Sequence, residues 1–216
     1  MDIQSYRTLV FDCDGVLLNS NALKTESFAK VAQRFSSTAA QQLVDYHVRH
    51  GGISRYEKFR WFQREVLKTP ECGEPQVAEL VDAYAQTVSQ GLLECEVAEG
   101  LETLRDALPE SRWLVVSGSD QAELRWVFEQ RSLAGLFDGG IFGSPDNKHE
   151  ILAREKASGN IHGSTVMLGD SQYDAEAARL AGLAFIFVSG WSESSYAFPE
   201  AQGRIERLAD LLRNRR

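Results

Sequence analysis

Residues 9–20 read LVFDCDGVLLNS: an apolar run, two aspartates separated by one residue, a glycine and further apolar residues. The apolar run predicts a buried strand that ends on the aspartates. Because alternate side chains of a strand share a face, Asp12 and Asp14 should point the same way and Cys13 the opposite way. Two carboxylates about 6–7 Å apart repel each other, which favours a proton or a cation between them. A simple turn at Asp14 and Gly15 is the alternative for this segment.

Four more short runs of β-branched and aromatic residues follow later in the chain. They are RWLVVSGSD (112–120), GGIFGS (139–144), STVMLGD (164–170) and LAFIFVSG (183–190). Each of these runs is followed by polar residues and then by a helical pattern. Strands that alternate with helices predict an α/β fold with a Rossmann-like parallel sheet covered on both faces.

A long segment without a strand candidate separates the first two strands. It covers residues 18–92, has helical periodicity throughout, and is interrupted by glycines at 51–52 and by TPECGEP at 69–75. Such interruptions separate helices. We therefore predict an α/β core formed by residues 1–17 and 93–216, with residues 18–92 inserted as a helical cap. An amphipathic helix is predicted at the end of the chain, over residues 203–216.

The composition limits the classes of function. The chain has 216 residues, of which 43% are hydrophobic, and a net charge of −8 at pH 7. This acidity argues against a protein that binds nucleic-acid backbones through basic patches. The sequence begins without a basic region followed by an apolar stretch, and no apolar run is long enough to span a bilayer. With three cysteines that lack close pair spacing, we expect a cytoplasmic protein without a nucleic-acid or membrane partner.

Chemically reactive residues follow three further strands. Ser117 and Gly118 come where the second strand gives way to a helix, a place where hydroxyl and backbone N–H groups can hold an anion. Lys148 begins a helix, where a cation is unfavourable to the helix dipole and calls for an anionic partner. Asp170 ends another strand, and Asp174 lies in the first turn of the following helix. Taken singly, each residue also has a plain structural explanation as a cap or a solvated charge.

The predicted fold brings these segments together. In open α/β sheets, ligands bind outside the carboxyl ends of the strands. Several carboxylates beside a lysine describe a site for Mg²⁺, which prefers oxygen ligands and is commonly held by one or two carboxylates with phosphate and water. The sequence therefore predicts Mg²⁺ as a cofactor and a phosphorylated small molecule as the substrate.

Four motifs in this order make the chain resemble the haloacid dehalogenase superfamily of phosphohydrolases. They are FDCDGVLLNS (11–20), VVSGS (115–119), SPDNKHEIL (144–152) and GDSQYD (169–174). The helical segment resembles the cap of the branch that contains β-phosphoglucomutase and phosphoglycolate phosphatase. Within it, GGISRYEKF (51–59) is similar to the Gly-x-Ser-Arg loop of sugar-phosphate mutases.

The resemblance implies catalytic and metal-binding roles for the aspartates. Asp12 would be the nucleophile that takes the phosphoryl group as an aspartyl phosphate. Asp14 would protonate the leaving oxygen and then activate the attacking water. The Asp12 side chain, the Asp14 backbone carbonyl and Asp170 would hold Mg²⁺. Asp174 would bind the metal directly or support the residues that do.

The resemblance also implies which residues bind the substrate. Ser117, Gly118 and Lys148 would bind the oxygens of the transferring phosphoryl group, and the charge of Lys148 would stabilise the transition state. Arg55 follows the glycine pair and a serine that can cap a helix, so we expect its side chain to contact the rest of the substrate. Lys58 and Arg60 are expected on the solvated face of the same amphipathic helix.

Three functions stay open from the sequence alone. The leading one is a Mg²⁺-dependent phosphatase for a small phosphorylated metabolite, with a sugar phosphate as one candidate. The second is a phosphomutase of the β-phosphoglucomutase type, indicated by the loop at 51–59. The third is a phospho-aspartate switch similar to a receiver domain, although such a domain needs no helical insertion. Asp14 favours phosphoryl transfer, because dehalogenases of this superfamily lack the second aspartate. The oligomeric state is not predicted.

Overall fold

A computed structural model describes residues 2–68 and 73–213 of the chain. Its centre is a sheet of six parallel strands in the order β3-β2-β1-β4-β5-β6. The strands are β1 (Thr8–Phe11), β2 (Arg112–Asp120), β3 (Gly140–Ser144), β4 (Thr165–Gly169), β5 (Ala184–Val188) and β6 (Gly203–Ile205). The predicted α/β fold with a Rossmann-like parallel sheet is confirmed.

Helices cover both faces of this sheet. They are α5 (Leu101–Ala107), α6 (Gln121–Gln130), α7 (Lys148–Ala157), α8 (Gln172–Ala181) and the short α9 (Asp210–Arg213). Alternate residues of β1 contribute to separate hydrophobic clusters on the two faces: Leu9 and Phe11 belong to one, and Val10 to the other. The strand is therefore buried on both sides, which explains its continuous apolar sequence.

Between β1 and α5 the described residues form four helices, which we call the inserted helices. They are α1 (Asn21–Gln33), α2 (Ser37–Arg49), α3 (Arg55–Trp61), which continues as a π-helical turn (Phe62–Leu67), and α4 (Glu74–Glu94). Their own core contains an aromatic group in which the ring of Phe28 lies 5.3 Å from that of Phe59 and 4.3 Å from that of Tyr84. The predicted helical segment is present, whereas its division from the core at residues 18 and 92 stays a prediction.

The prediction of a helix over residues 203–216 is wrong for its first part. Residues Gly203–Ile205 form β6, which pairs with β5 in the register Val188↔Ile205. Ile205 is buried there, and among the described residues of this segment a helix forms at Asp210–Arg213, whereas 214–216 lie outside the described residues. Three residues at the edge of a sheet are too few to show a period, so the sequence pattern alone could not separate this strand from the helix after it.

The cysteines that the structure describes, Cys13 and Cys95, are free thiols. Cys72 lies outside the described residues. Within residues 2–68 and 73–213, none of the helices combines the length and the apolar character that a membrane span requires.

Candidate active site

Asp12 and Asp14 follow β1, which lies between β2 and β4 in the middle of the sheet. Asp12 is buried, and the chain reverses direction after Asp14 at Gly15, which has a φ of +76°. A Cβ atom at Gly15 would lie 2.1 Å from Oδ2 of Asp170. Only glycine combines this left-handed backbone with so close an approach, and the turn thereby brings the ends of β1 and β4 together.

Lys148 is completely buried between two carboxylates. Its Nζ atom lies 2.8 Å from Oδ1 of Asp12 and also forms an ion pair with Asp174. A capping box between Asn147 and Glu150 fixes the start of α7, where Lys148 is the first residue. Burial lowers the pKa of Lys148, but the charges of the two aspartates outweigh burial and raise that pKa well above its ordinary value. The structure thus supplies the anionic partners that this helix position requires.

Asp12, Asp170 and Asp174 form a buried acidic cluster in which one carboxylate oxygen of each lies within 4.8 Å of the others. Burial and the charge of Asp174 raise the pKa of Asp12 to about 7. Burial, Asp12 and Asp174 raise the pKa of Asp170 well above its ordinary value. Lys148 supplies one positive charge against these carboxylates, so negative charge is left over. An oxygen-rich, under-neutralised cluster of this kind fits a divalent cation such as Mg²⁺.

The Oδ2 atoms of Asp174 and Asp170 accept hydrogen bonds from other residues of the protein. Oδ2 of Asp174 accepts hydrogen bonds from the backbone N–H of Ser171 at 3.1 Å and from its hydroxyl at 2.5 Å. Oδ2 of Asp170 accepts a hydrogen bond of 2.7 Å from the amide of Asn21, the first residue of α1. Asp174 has both oxygens engaged by the protein, which favours a role in holding Lys148 and the loop after β4.

Asp14 lies apart from the acidic cluster and has a lysine of its own. Its carboxylate accepts hydrogen bonds from Ser20 at 2.5 Å, Lys24 at 2.6 Å and Ser119 at 2.8 Å. Burial raises the pKa of Asp14, but Lys24 and these hydrogen bonds outweigh burial and hold that pKa well below its ordinary value. The two carboxylates contact different lysines, and the expectation of a proton or a cation between them stays a prediction.

Ser117 and Gly118 lie inside β2 rather than after it, three and two residues before its end. The hydroxyl of Ser117 accepts a hydrogen bond of 3.1 Å from the backbone N–H of Ser119. Gly118 lies against the loop between α2 and α3: a Cβ atom at Gly118 would be 2.1 Å from the carbonyl oxygen of Gly52. The missing side chain therefore lets the inserted helices close onto the end of β2.

Substitution of Gly118 by alanine should lower the thermal stability of the protein. The new methyl group would overlap backbone atoms, and overpacking of this kind costs about 1–3 kcal/mol, or about 2–10 °C in Tm for a chain of this size. Gly135→Ala is the matched control, because a Cβ atom there would meet nothing within 4 Å. Scanning calorimetry of both variants checks the prediction, which fails if they melt at the same temperature.

Arg55 is paired with a residue of the core. Its Nη1 donates to Oε2 of Glu123 on α6 at 2.9 Å, and Nη2 donates to the other oxygen of the same carboxylate. The next residue, Tyr56, donates from its hydroxyl to Asp120 at 2.8 Å. Together these contacts join α3 to the start of α6. The predicted contact between Arg55 and the substrate stays a prediction.

A cavity of about 700 Å³ lies beside the acidic cluster. Its wall includes Asp12, Asp14, Gly118 and Asp170 from the core, and Lys24, His47, Arg55 and Lys58 from the inserted helices. The expectation that Lys58 is solvated is wrong, because Lys58 is 3% exposed. Arg60 is exposed as expected and pairs with Glu74 at 2.9 Å. The inserted helices therefore contribute polar groups to the site.

Several residues of the site were not predicted. Lys24 lies in the first turn of α1, where a cation is unfavourable to the helix dipole. The same argument identified Lys148, so the sequence did carry a signal for Lys24. Asn21 and Glu123 have no such signal, because their partners lie far away in the sequence and only the folded chain brings them together.

The fold and the site define an α/β enzyme with a lysine-bound aspartate and a buried acidic cluster at the carboxyl edge of a parallel sheet. Residues 6–182 match the family of haloacid dehalogenase-like hydrolases. Because this match spans most of the chain, the protein belongs to that family and is a hydrolase. The resemblance seen in the four sequence motifs is thereby confirmed.

Solved structures with similar folds include three that cover nearly the whole chain. A predicted phosphatase from Clostridium acetobutylicum is 22% identical with a TM-score of 0.74, over 96% of this chain and 97% of its own. A predicted phosphoglycolate phosphatase from Haemophilus somnus is 15% identical with a TM-score of 0.74, over 98% of both chains. CbbY from Rhodobacter sphaeroides, in complex with phosphate, is 17% identical with a TM-score of 0.71, over 95% and 96%. A search of curated proteins finds no significant match.

Proposed function

We propose that this hydrolase is a Mg²⁺-dependent phosphatase that acts on a small phosphorylated metabolite through an aspartyl phosphate on Asp12. The observation that carries the proposal is the ion pair of 2.8 Å between Asp12 and Lys148, buried at the end of the central strand and beside the cavity. This arrangement holds a carboxylate in place and keeps a positive charge next to it, where a phosphoryl group would arrive. The similar structures described as phosphatases, and the phosphate bound by CbbY, support the same chemistry.

Asp12 and Lys148 would act in the first step. One oxygen of Asp12 faces Lys148, and the other would attack phosphorus while the bond from phosphorus to the leaving oxygen breaks. Lys148 and the end of β2 at Ser117 and Gly118 would hold the phosphoryl oxygens. Mg²⁺, when held by the Asp12 side chain, the Asp14 carbonyl and Asp170, would supply charge that stabilises the transition state.

Asp14 would act in both steps, as acid and then as base. In the first step its proton would go to the leaving oxygen, and in the second it would take a proton from the water that attacks the phosphorus on Asp12. The bond between phosphorus and Asp12 would then break and release inorganic phosphate. The ion pair with Lys24 holds Asp14 ionised, which suits the second step directly. For the first step Asp14 must take up a proton, which the positive charge of Lys24 disfavours.

The alternative functions carry less support from the structure. The arginine that suggested a phosphomutase, Arg55, has its guanidinium group engaged by Glu123. A receiver-like switch would have no use for inserted helices that close over the aspartates. Repeated hydrolysis of p-nitrophenyl phosphate with Mg²⁺ distinguishes the phosphatase from the switch, because a switch would be labelled only once per chain. A small-molecule substrate, a cytoplasmic location and the lack of nucleic-acid or membrane partners stay predictions from the sequence.

Asp170→Ala should weaken metal dependence more than it affects folding. Loss of one carboxylate from the proposed metal site should raise the Mg²⁺ concentration for half-maximal activity by about tenfold to a hundredfold. Activity with p-nitrophenyl phosphate, measured over a series of Mg²⁺ concentrations, gives this value. Asp106→Ala, at an exposed position of α5, is the control. A metal titration that is identical in both variants removes Asp170 from the proposed ligands.

A further inference from the structure

Lys58 is a buried cation in the wall of the cavity. It lies on α3, its side chain is almost completely covered, and its Nζ atom lies 2.7 Å from Nδ1 of His47 and 5.5 Å from the ring centre of Phe28. Within residues 2–68 and 73–213, no carboxylate forms an ion pair with it. A buried charge without a counter-ion destabilises a folded protein, so this lysine calls for a partner that the chain does not provide.

The other buried cations around the site are neutralised by the protein. Lys24 pairs with Asp14, Arg55 with Glu123, and Lys148 with Asp12 and Asp174. Arg49 also lines the cavity, but it is exposed and donates to the backbone carbonyl of Asp45. Lys58 is therefore the buried cation at this wall, among the described residues, whose charge is left for a ligand.

His47 adds a second donor beside Lys58. Burial and the charge of Lys58 lower the pKa of His47 to about 2, so the imidazole is neutral. When Lys58 is protonated, its ammonium can only donate, so Nδ1 accepts and the imidazole proton lies on Nε2. Lys58 uses one of its three N–H groups in this contact and keeps two for another partner. Both residues line the cavity.

We propose that Lys58, supported by His47, binds a carboxylate on the part of the substrate that is not transferred. The inference rests on the proposed function, which places the phosphoryl group of the same substrate at Asp12. It deepens that function, because the substrate becomes a phosphorylated carboxylic acid rather than a neutral sugar phosphate. One unpaired ammonium matches the single charge of a carboxylate, whereas a second phosphate would bring about two charges at pH 7.

The electrostatics at Lys58 agree with this geometry. Burial and the charge of Lys24 lower the pKa of Lys58 to about 7, with smaller contributions from Lys148 and Arg55 in the same direction and from Asp14 in the opposite one. A bound carboxylate would reverse this shift, since an anion stabilises the ammonium form. Binding of the anion and protonation of Lys58 therefore strengthen each other.

The test compares phosphorylated hydroxy acids of increasing chain length, beginning with phosphoglycolate, with their neutral amides. Dissociation constants are measured by calorimetry with Mg²⁺ on the Asp12→Asn protein, which should bind these compounds without hydrolysing them. The best acid should bind about tenfold to a hundredfold more tightly than its amide, the range for a charge-assisted contact. Adding Lys58→Met should abolish this preference, whereas Lys30→Met, at an exposed position of α1, should preserve it.

Three results would overturn the assignment. One is equal binding of every acid and its amide, and another is a preference that survives Lys58→Met. The third is a bisphosphate of the same length whose affinity falls more on Lys58→Met than the affinity of the acid does. That result would assign the site to a second phosphate. The proposed function fails separately, if the native protein hydrolyses no phosphate ester. The preference for the acid can still be measured in that case, because the test measures binding and not hydrolysis.

Thermal melting separates recognition from a structural role. Because the unpaired charge destabilises the fold, Lys58→Met should melt at a temperature at least as high as the native protein. Lys58→Gln is the second variant, since it keeps a polar contact with His47. A lower Tm in both variants, together with an unchanged preference for the acid, would make Lys58 a structural residue and contradict the proposal.

Discussion

Asp12→Asn is expected to lower kcat with p-nitrophenyl phosphate and Mg²⁺ by at least about 10⁴-fold, because an amide cannot form the aspartyl phosphate. The variant should stay folded, since the asparagine side chain has nearly the same size and can still accept a hydrogen bond from Lys148. Asp106→Asn, on the exposed face of α5, is the matched control and should retain native activity. A variant with near-native kcat contradicts the covalent mechanism.

The same variant makes a prediction about pH. The pKa of Asp12 is raised to about 7 from a value near 4 in the unfolded chain, because burial and Asp174 disfavour its charge. Ionisation of Asp12 therefore lowers the free energy of unfolding of the native protein as the pH rises from about 4 to about 7. The Asp12→Asn variant has no such loss. In metal-free buffer, the Tm of the variant relative to the native protein should rise across this range. A difference in Tm that does not change with pH contradicts the assigned electrostatics.

Lys148→Ala is expected to damage both activity and stability. Loss of the charge that faces the transferring phosphoryl group should lower kcat by about 10²–10³-fold and weaken substrate binding as well. It would also leave Asp12 and Asp174 buried without their cation, which costs about 3–5 kcal/mol, or about 10 °C in Tm. Activity assays and calorimetry measure the two effects independently.

Two comparisons make the Lys148 prediction specific. Lys156→Ala is the control, because Lys156 is exposed on the same helix and donates to the backbone carbonyl of Ala181. The loss of Tm in Lys148→Ala should shrink at about pH 5, where the raised pKa of Asp12 lets its carboxyl group take up a proton. A large fall in Tm with an unchanged kcat per folded molecule would make Lys148 a purely structural residue.

Periodicity explains why the fold was predictable. Strands buried on both faces read as short apolar runs, and the inserted helices read as amphipathic patterns, so each could be located from the sequence. The edge strand β6 has only three residues, and its pairing with β5 decides its structure. Asp12 and Asp14 both line the cavity and Cys13 packs into the hydrophobic core, as the alternation predicts, although β1 itself ends at Phe11.

The site was predictable where it depends on strand ends and helix starts. Asp12, Lys148 and Asp170 follow directly from those positions, and the structure brings them together. The partner of Arg55 is Glu123, which lies 68 residues away, and no local pattern connects the two. Lys58 looked solvated because α3 seen alone is an ordinary amphipathic helix. Its burial comes from tertiary packing, which places His47 of α2 and the ring of Phe28 of α1 against it.

The measurement that tests the central claim most directly is a search for phosphate on Asp12 during turnover. The native protein is mixed with p-nitrophenyl phosphate and Mg²⁺, quenched rapidly in acid, digested and analysed by mass spectrometry. The proposed mechanism predicts a phosphorylated peptide that contains residues 9–20, with the phosphate on Asp12, and none from Asp12→Asn. Sustained release of inorganic phosphate without any such peptide, or with the phosphate on another residue, would contradict the account.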